Sequence, residues 1–137
     1  MNRSPEHARL LLQKAREEAN LLTRWVEDAT VPAWLMGFHA QQALEKALKA
    51  VLADRGFEYP LTHNLGWLLD LVRRQAIEDP PDAAEIPRLT PFGTTFRYVD
   101  EPDGGTEFLL DRAWAAACVS RTIRWADAVL NAGIERE

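Results

Sequence analysis

The stretch PAWLMGFHAQQALEKALKAVLADRG, residues 32–56, decides the reading of the whole chain. Pro32 has a fixed φ and no N–H, which suits the first turn of a helix and not its interior, and Gly56 suits the position just past a helix end. The interval therefore predicts one helix from Pro32 to about Arg55. At about 100° per residue, Met36, Ala40, Ala43, Leu44, Ala47 and Val51 fall on one side, and His39, Gln42, Glu45, Lys46 and Lys49 share the other. The alanines allow neighbouring helices to come close. Such a helix belongs at the centre of a bundle.

Upstream, Ala8, Leu11, Leu12, Ala15, Ala19, Leu22 and Val26 recur at three- and four-residue steps, with Ser4 as N-cap and Pro5 in the first turn. Downstream, Thr62 is expected to cap a third helix with Leu65, Leu68, Leu69 and Val72 inward, stopped by Asp79-Pro80-Pro81. Between Pro80 and Gly105 lie five of the eight prolines and three of the seven glycines, leaving room for a short helix from Asp82 to Leu89, with Asp82 and Glu85 as a capping box. Thr106 is then expected to cap a long final helix carrying Leu109, Ala113, Ala116, Ser120, Ile123, Asp127 and Leu130 on one strip; Trp114, Trp125 and Val129 are further candidates for its core face. Short connections between the first three helices favour antiparallel neighbours. The expected architecture is a single all-α domain over residues 1–137, an up-down bundle of four long helices plus a short helix in the Pro-rich connection.

Composition narrows the function classes. With 137 residues and 47% hydrophobic content, the chain can bury a core without disulfides. Its single cysteine, Cys118, lies in an apolar run and reads as a buried thiol in a reducing compartment. The first residues show no signal-peptide pattern and no run approaches the roughly 18 apolar residues of a membrane span, so a cytoplasmic location is expected. A net charge of −5 disfavours an electrostatic grip on a nucleic-acid backbone. The basic pairs Lys46/Lys49, Arg73/Arg74 and Arg121/Arg124 read as solvated helix surface.

Chemistry-bearing residues are few. His39 and His63 could act as acid, base or ligand near neutral pH, but neither has metal-like spacing to a second ligand, and Cys118 has no histidine nearby in sequence. No cofactor or metal is implied. The stripe His39, Gln42, Lys46, Lys49 offers donors and positive charge suited to a phosphate or nucleotide; composition alone favours a solvated face tied by Glu45 and Lys49 at i,i+4. Gly104-Gly105-Thr106 before a helix is a weak anion-site signal, with no phosphate-loop pattern around it.

Three elements in order resemble the HEPN family (higher eukaryotes and prokaryotes nucleotide-binding): the tract FHAQQALEKALKA at residues 38–50, Thr62-His63-Asn64-Leu65, and Phe96-Arg97-Tyr98. The resemblance implies a bundle of four to five helices that pairs into a homodimer. It also implies a prokaryotic setting in which such chains accompany a minimal nucleotidyltransferase in toxin–antitoxin-like systems. Ribonucleases of the family carry an Arg followed four to six residues later by His on a late helix. Here no His follows Arg97, and the interval from Arg55 to His63 holds seven residues and straddles a helix end. The resemblance thus points to a non-catalytic module whose ligand- or partner-binding residues are His39, Gln42, Lys46, His63, Arg97 and Tyr98. The alternative for Arg97 is a structural ion pair with a carboxylate such as Asp100. The alternative function is an unusual ribonuclease using His63 or His39.

Overall fold

The computed structural model describes residues 4–94 and 110–135, and among them every regular element is helical. Helix α1 spans Pro5–Trp25, with the Ser4 hydroxyl accepting from the His7 N–H at 3.1 Å and Pro5 in the first turn, as its sequence predicts. Helix α2 spans Ala33–Asp54 behind Pro32, and Gly56 just beyond it takes φ +77, the left-handed conformation that glycine tolerates best. All six residues assigned to its apolar side are fully buried.

The other side of α2 departs from expectation. Of the residues assigned there, Glu45 and Lys49 are buried and His39, Gln42 and Lys46 half-buried; Gln41, Leu48, Ala50, Leu52 and Ala53, assigned to neither side, are buried too, so the helix is covered nearly all round. The physical reason is tertiary: α1 and the final helix, α5 (Arg112–Glu135), each pack along α2 and against each other, and a further element covers its remaining side. That element is helix α3, Leu65–Arg74, which packs on α2 and on the 3-10 turn Ile86–Leu89. At ten residues it is shorter than a fourth long helix would be. Asn64, not Thr62, caps it, accepting from the Trp67 N–H at 3.0 Å, while Thr62 holds the Asn64 N–H at 3.1 Å in the preceding turn. It ends well before Asp79, where Ala76 turns into the left-handed region at φ 59. Its inward residues Leu65, Leu68, Leu69 and Val72 are buried as expected.

In the Pro-rich connection, the 3-10 turn leads into a single turn of helix α4, Thr90–Gly93. The expected capping box does not form. The Asp82 carbonyl accepts from Glu85 and Ile86 N–H groups, and its carboxylate instead receives a two-pronged contact from Arg121 at 2.8 and 3.2 Å. Helix α4 lies so close to α2 that two glycines are required. A Cβ on Gly37 would sit 2.2 Å from the Phe92 ring, and one on Gly93 would sit 2.4 Å from the Gln41 side chain.

Asp111 caps helix α5 from the position before it, its carboxylate accepting from the Trp114 N–H at 2.9 Å; the expected cap Thr106 lies outside the described residues. Its buried strip is Ala115, Cys118, Val119, Thr122, Ile123, Ala126 and Leu130. Of the strip expected from sequence, Ile123 and Leu130 are core, Ala113 is exposed, and Ala116, Ser120 and Asp127 are half-buried; Leu109 lies outside the described residues. Trp114, Trp125 and Val129 flank the core half-buried. The one buried hydroxyl on this strip, Thr122, is satisfied by the Cys118 carbonyl at 2.8 Å. At the start of α5, Arg112 donates to the carbonyls of Trp25, Asp28 and Val31 and so clamps the α1–α2 connection.

Candidate functional site

His39 and Lys46 stand two turns apart on one side of α2, and a single carboxylate from α1 joins them. Glu18 lies 2.6 Å from His39 Nδ1 through Oε2 and receives the Lys46 ammonium at 2.8 Å through Oε1. All three side chains are mostly buried, at 22, 15 and 24% exposure for His39, Glu18 and Lys46. The Trp25 and Phe38 rings meet the His39 imidazole edge-on, with centroids at 5.4 and 5.2 Å. This stripe is the α1/α2 seam and not a solvated face.

A second cluster forms around Glu45. Its carboxylate accepts from Lys49 Nζ at 2.7 Å and Gln41 Nε2 at 3.0 Å, and lies 2.8 Å from His63 Nδ1. The Gln41 amide also donates to the His63 carbonyl at 3.0 Å and accepts from Gln42 Nε2 at 2.8 Å. Lys49 lies over the Tyr59 ring at 5.2 Å, and the Tyr59 hydroxyl meets His7 Nε2 at 2.7 Å. The expected Glu45–Lys49 pair therefore exists, but inside the protein: both residues are under 9% exposed. Burial pushes the Glu45 carboxyl up, yet the hydrogen bonds from Lys49, His63 and Gln41 together outweigh it and hold the group below its ordinary range. Burial, helped by the Glu45 charge, pushes the Tyr59 hydroxyl up.

Of the six residues singled out from sequence, the structure brings together His39 with Lys46, through Glu18, and Gln42 with His63, through Gln41 and Glu45. Arg97 and Tyr98, with the Arg97–Asp100 alternative, lie outside the described residues. Sequence reasoning missed Glu18 and Gln41 as members of the site. A signal was there: Glu18 falls on the apolar spacing of Ala15 and Leu22, and Gln41 on that of Leu44 and Leu48, and a polar residue on a core stripe needs a partner.

The arrangement has definite chemical capacities. His63 is half exposed, its Nδ1 is held on a carboxylate, and its Nε2 has no partner among the described residues, which leaves that nitrogen able to exchange a proton or hold a ligand. The groove between α1 and α2 beside Lys46, about 380 Å³, is lined by Lys14, Glu17, Glu18, Leu21 and Lys46. Two lysines there face two glutamates, so its charges balance and its pull on an anion is small. Cys118 is no nucleophile: burial, with the Asp82 charge, pushes its thiol up to about 11. Among the described residues no group of His, Cys, Asp and Glu could hold a metal ion, and no helix is long and apolar enough to cross a membrane.

A search of curated proteins and a search of solved structures find no match to the chain. The family model of the HEPN domain matches residues 8–132, from the first turn of α1 into the last turn of α5. With that match and an all-helical fold centred on the FHAQQALEKALKA helix, the chain belongs to the HEPN family, a nucleotide-binding or ribonuclease-type module.

Proposed function

We propose that this HEPN chain is a non-catalytic binding module, acting in a prokaryotic cytoplasm as a homodimer and as the partner, or the nucleotide- or substrate-binding subunit, of a minimal nucleotidyltransferase in a toxin–antitoxin-like pair. The observation that supports it is the pairing along α2: His39 and Lys46 are bound to Glu18, and Lys49 and His63 to Glu45. Such pairing fixes the orientation of these side chains and leaves the half-exposed His63 ring as the group that faces a ligand. It does not offer the two mobile proton-transfer groups and cationic support that RNA cleavage requires. His39, Gln42, Lys46 and His63 form its described part, and Arg97 with Tyr98 complete the proposed site. Next to His63 in the chain, Leu61 and Trp67 are 93 and 48% exposed, apolar surface that suits contact with a protein.

The decisive experiment is Arg97→Ala. Guanidinium forks onto a phosphate or carboxylate better than any other side chain, so the variant should melt like the parent yet bind ATP, or the nucleotidyltransferase that co-purifies with the parent, more weakly by calorimetry. Identical affinities would remove Arg97 from the site. Light scattering at micromolar concentration checks the dimer, and a stable monomer would contradict it.

One observation favours a second reading, an unusual ribonuclease. The Glu45–His63 contact is the carboxylate–imidazole arrangement that fixes a tautomer and frees the other nitrogen for proton transfer. Cleavage of transfer RNA by purified protein, abolished in a His39→Ala/His63→Ala double variant, would establish it in place of the first.

A further inference from the structure

Helix α1 carries a second stripe besides its core one. Ala8, Leu12, Ala15 and Leu22 are buried against the bundle, while Leu10, Lys14, Glu17 and Leu21 follow one another at i, i+4, i+7 and i+11. At about 100° per residue these four fall within an arc of roughly 60°, so they line up along one side of the helix. That spacing is the one by which a helix meets another helix along a seam. Leu10 stands out at one end, 51% exposed. At the other end Leu21 is half-buried, and with Lys14, Glu17, Glu18 and Lys46 it lines the groove of about 380 Å³ beside α2.

Lys14 and Glu17 are exposed and make no hydrogen bond or ion pair with any described residue, not even with each other. In the same groove Glu18 and Lys46 already satisfy one another at 2.8 Å. What the groove leaves unmatched is therefore one apolar side chain and two opposite charges. The stripe itself supplies the match. Leu10 with Leu21, and Lys14 with Glu17, are two pairs centred on the same point of the helix, between Ala15 and Arg16. Turned end for end, the stripe lays leucine over leucine and lysine over glutamate. A two-fold axis through that point makes this turn, and a two-fold interface requires such a self-complementary surface. The protruding leucine of each copy, about 16 Å along the helix from the groove at 1.5 Å per residue, then reaches the groove of the other.

We propose that the occupant of this groove is a second copy of the chain, docked with its α1 antiparallel to the first, the partner subunit's Leu10 on Leu21 and the partner subunit's Glu17 on Lys14. This rests on the homodimer of the function proposed above and gives that dimer its surface. The seam is short of the roughly 800 Å² per partner of a standard interface and carries two exposed charge pairs, so the dimer is reversible and loosened by salt.

Sedimentation velocity of the full chain over micromolar concentrations, with melting curves to confirm folding, tests this. The parent should dimerise, and more weakly as salt rises. Leu10→Glu should leave a monomer over the same range. Lys14→Glu and Glu17→Lys each set like charges against one another twice, by symmetry, and should each weaken the dimer roughly ten-fold. The double variant Lys14→Glu/Glu17→Lys exchanges the charges and should restore the parent's dissociation constant. Trp34→Ala, at a 41% exposed aromatic on α2, should change nothing. A dimer that survives Leu10→Glu, one lost in Trp34→Ala, or a double variant as weak as the single ones would overturn the α1 seam and leave the homodimer standing on another surface. A parent that stays monomeric throughout would overturn both.

Discussion

His63 Nδ1 lies 2.8 Å from Glu45 Oε1, so a carboxylate buried in the middle of α2 orients an imidazole that is half exposed in the loop before α3. The same carboxylate pairs with Lys49, just as Glu18 pairs with both Lys46 and His39, so the two clusters are built alike and differ in the elements they join. The Glu18 cluster ties α1 to α2, and the Glu45 cluster ties α2 to the α3 side.

Removing the Glu45 carboxylate should be expensive. In Glu45→Ala the Lys49 ammonium stays 8% exposed without its counter-charge, and breaking such a pair costs about 3–5 kcal/mol. The cation–π contact with Tyr59 keeps the expected loss at the lower end. Urea denaturation measures it, and a loss under about 1 kcal/mol would mean the pair behaves as if solvent-exposed.

The same carboxyl predicts acid sensitivity. Its folded pKa is lowered below the ordinary 4.5, so its contribution to stability is complete above that value and is lost as pH falls through the folded pKa. Melting temperature should therefore drop below about pH 4.5, and less steeply in Glu45→Gln than in the parent. Parallel acid curves for the two proteins would contradict this.

Gly37→Ala places a methyl group 2.2 Å from the Phe92 ring. Alanine would add about 1 kcal/mol of helix propensity in open space, but overpacking costs about 1–3 kcal/mol and forces α4 away from α2. A net loss of stability is expected by chemical denaturation. A variant as stable as the parent would mean that α4 yields freely.

Ala43→Glu tests the orientation of α2. Ala43 is fully buried, and an unpaired carboxylate there costs several kcal/mol on top of the overpacking. The protein should unfold or melt far lower. Melting within a few degrees of the parent would overturn the orientation.

Cys118 should resist labelling by a disulfide reagent at neutral pH in the folded protein, since the thiol is fully buried and its pKa is pushed to about 11, and it should react once the chain is unfolded in guanidinium. Rapid labelling of the native protein would show that α5 opens locally.

What the sequence determined by itself was local and periodic. Ser4, Pro5, Pro32 and Gly56 set the ends of α1 and α2 because capping and backbone restriction act within one turn, and the apolar arc of α2 followed from 3.6-residue spacing. The FHAQQALEKALKA tract also carried the family. Only the tertiary structure decided the rest. Periodicity gives the angle of a side chain about its helix, but not how many neighbours surround that helix, so a face that reads as solvated from His39 to Lys49 became largely covered once α1, α3 and α4 closed on α2. For the same reason Glu18, remote in sequence from His39 and Lys46, entered the site unseen. Asn64 and Asp111 displaced the expected caps, or supplied new ones, because several polar residues can compete for a helix start and packing chooses among them.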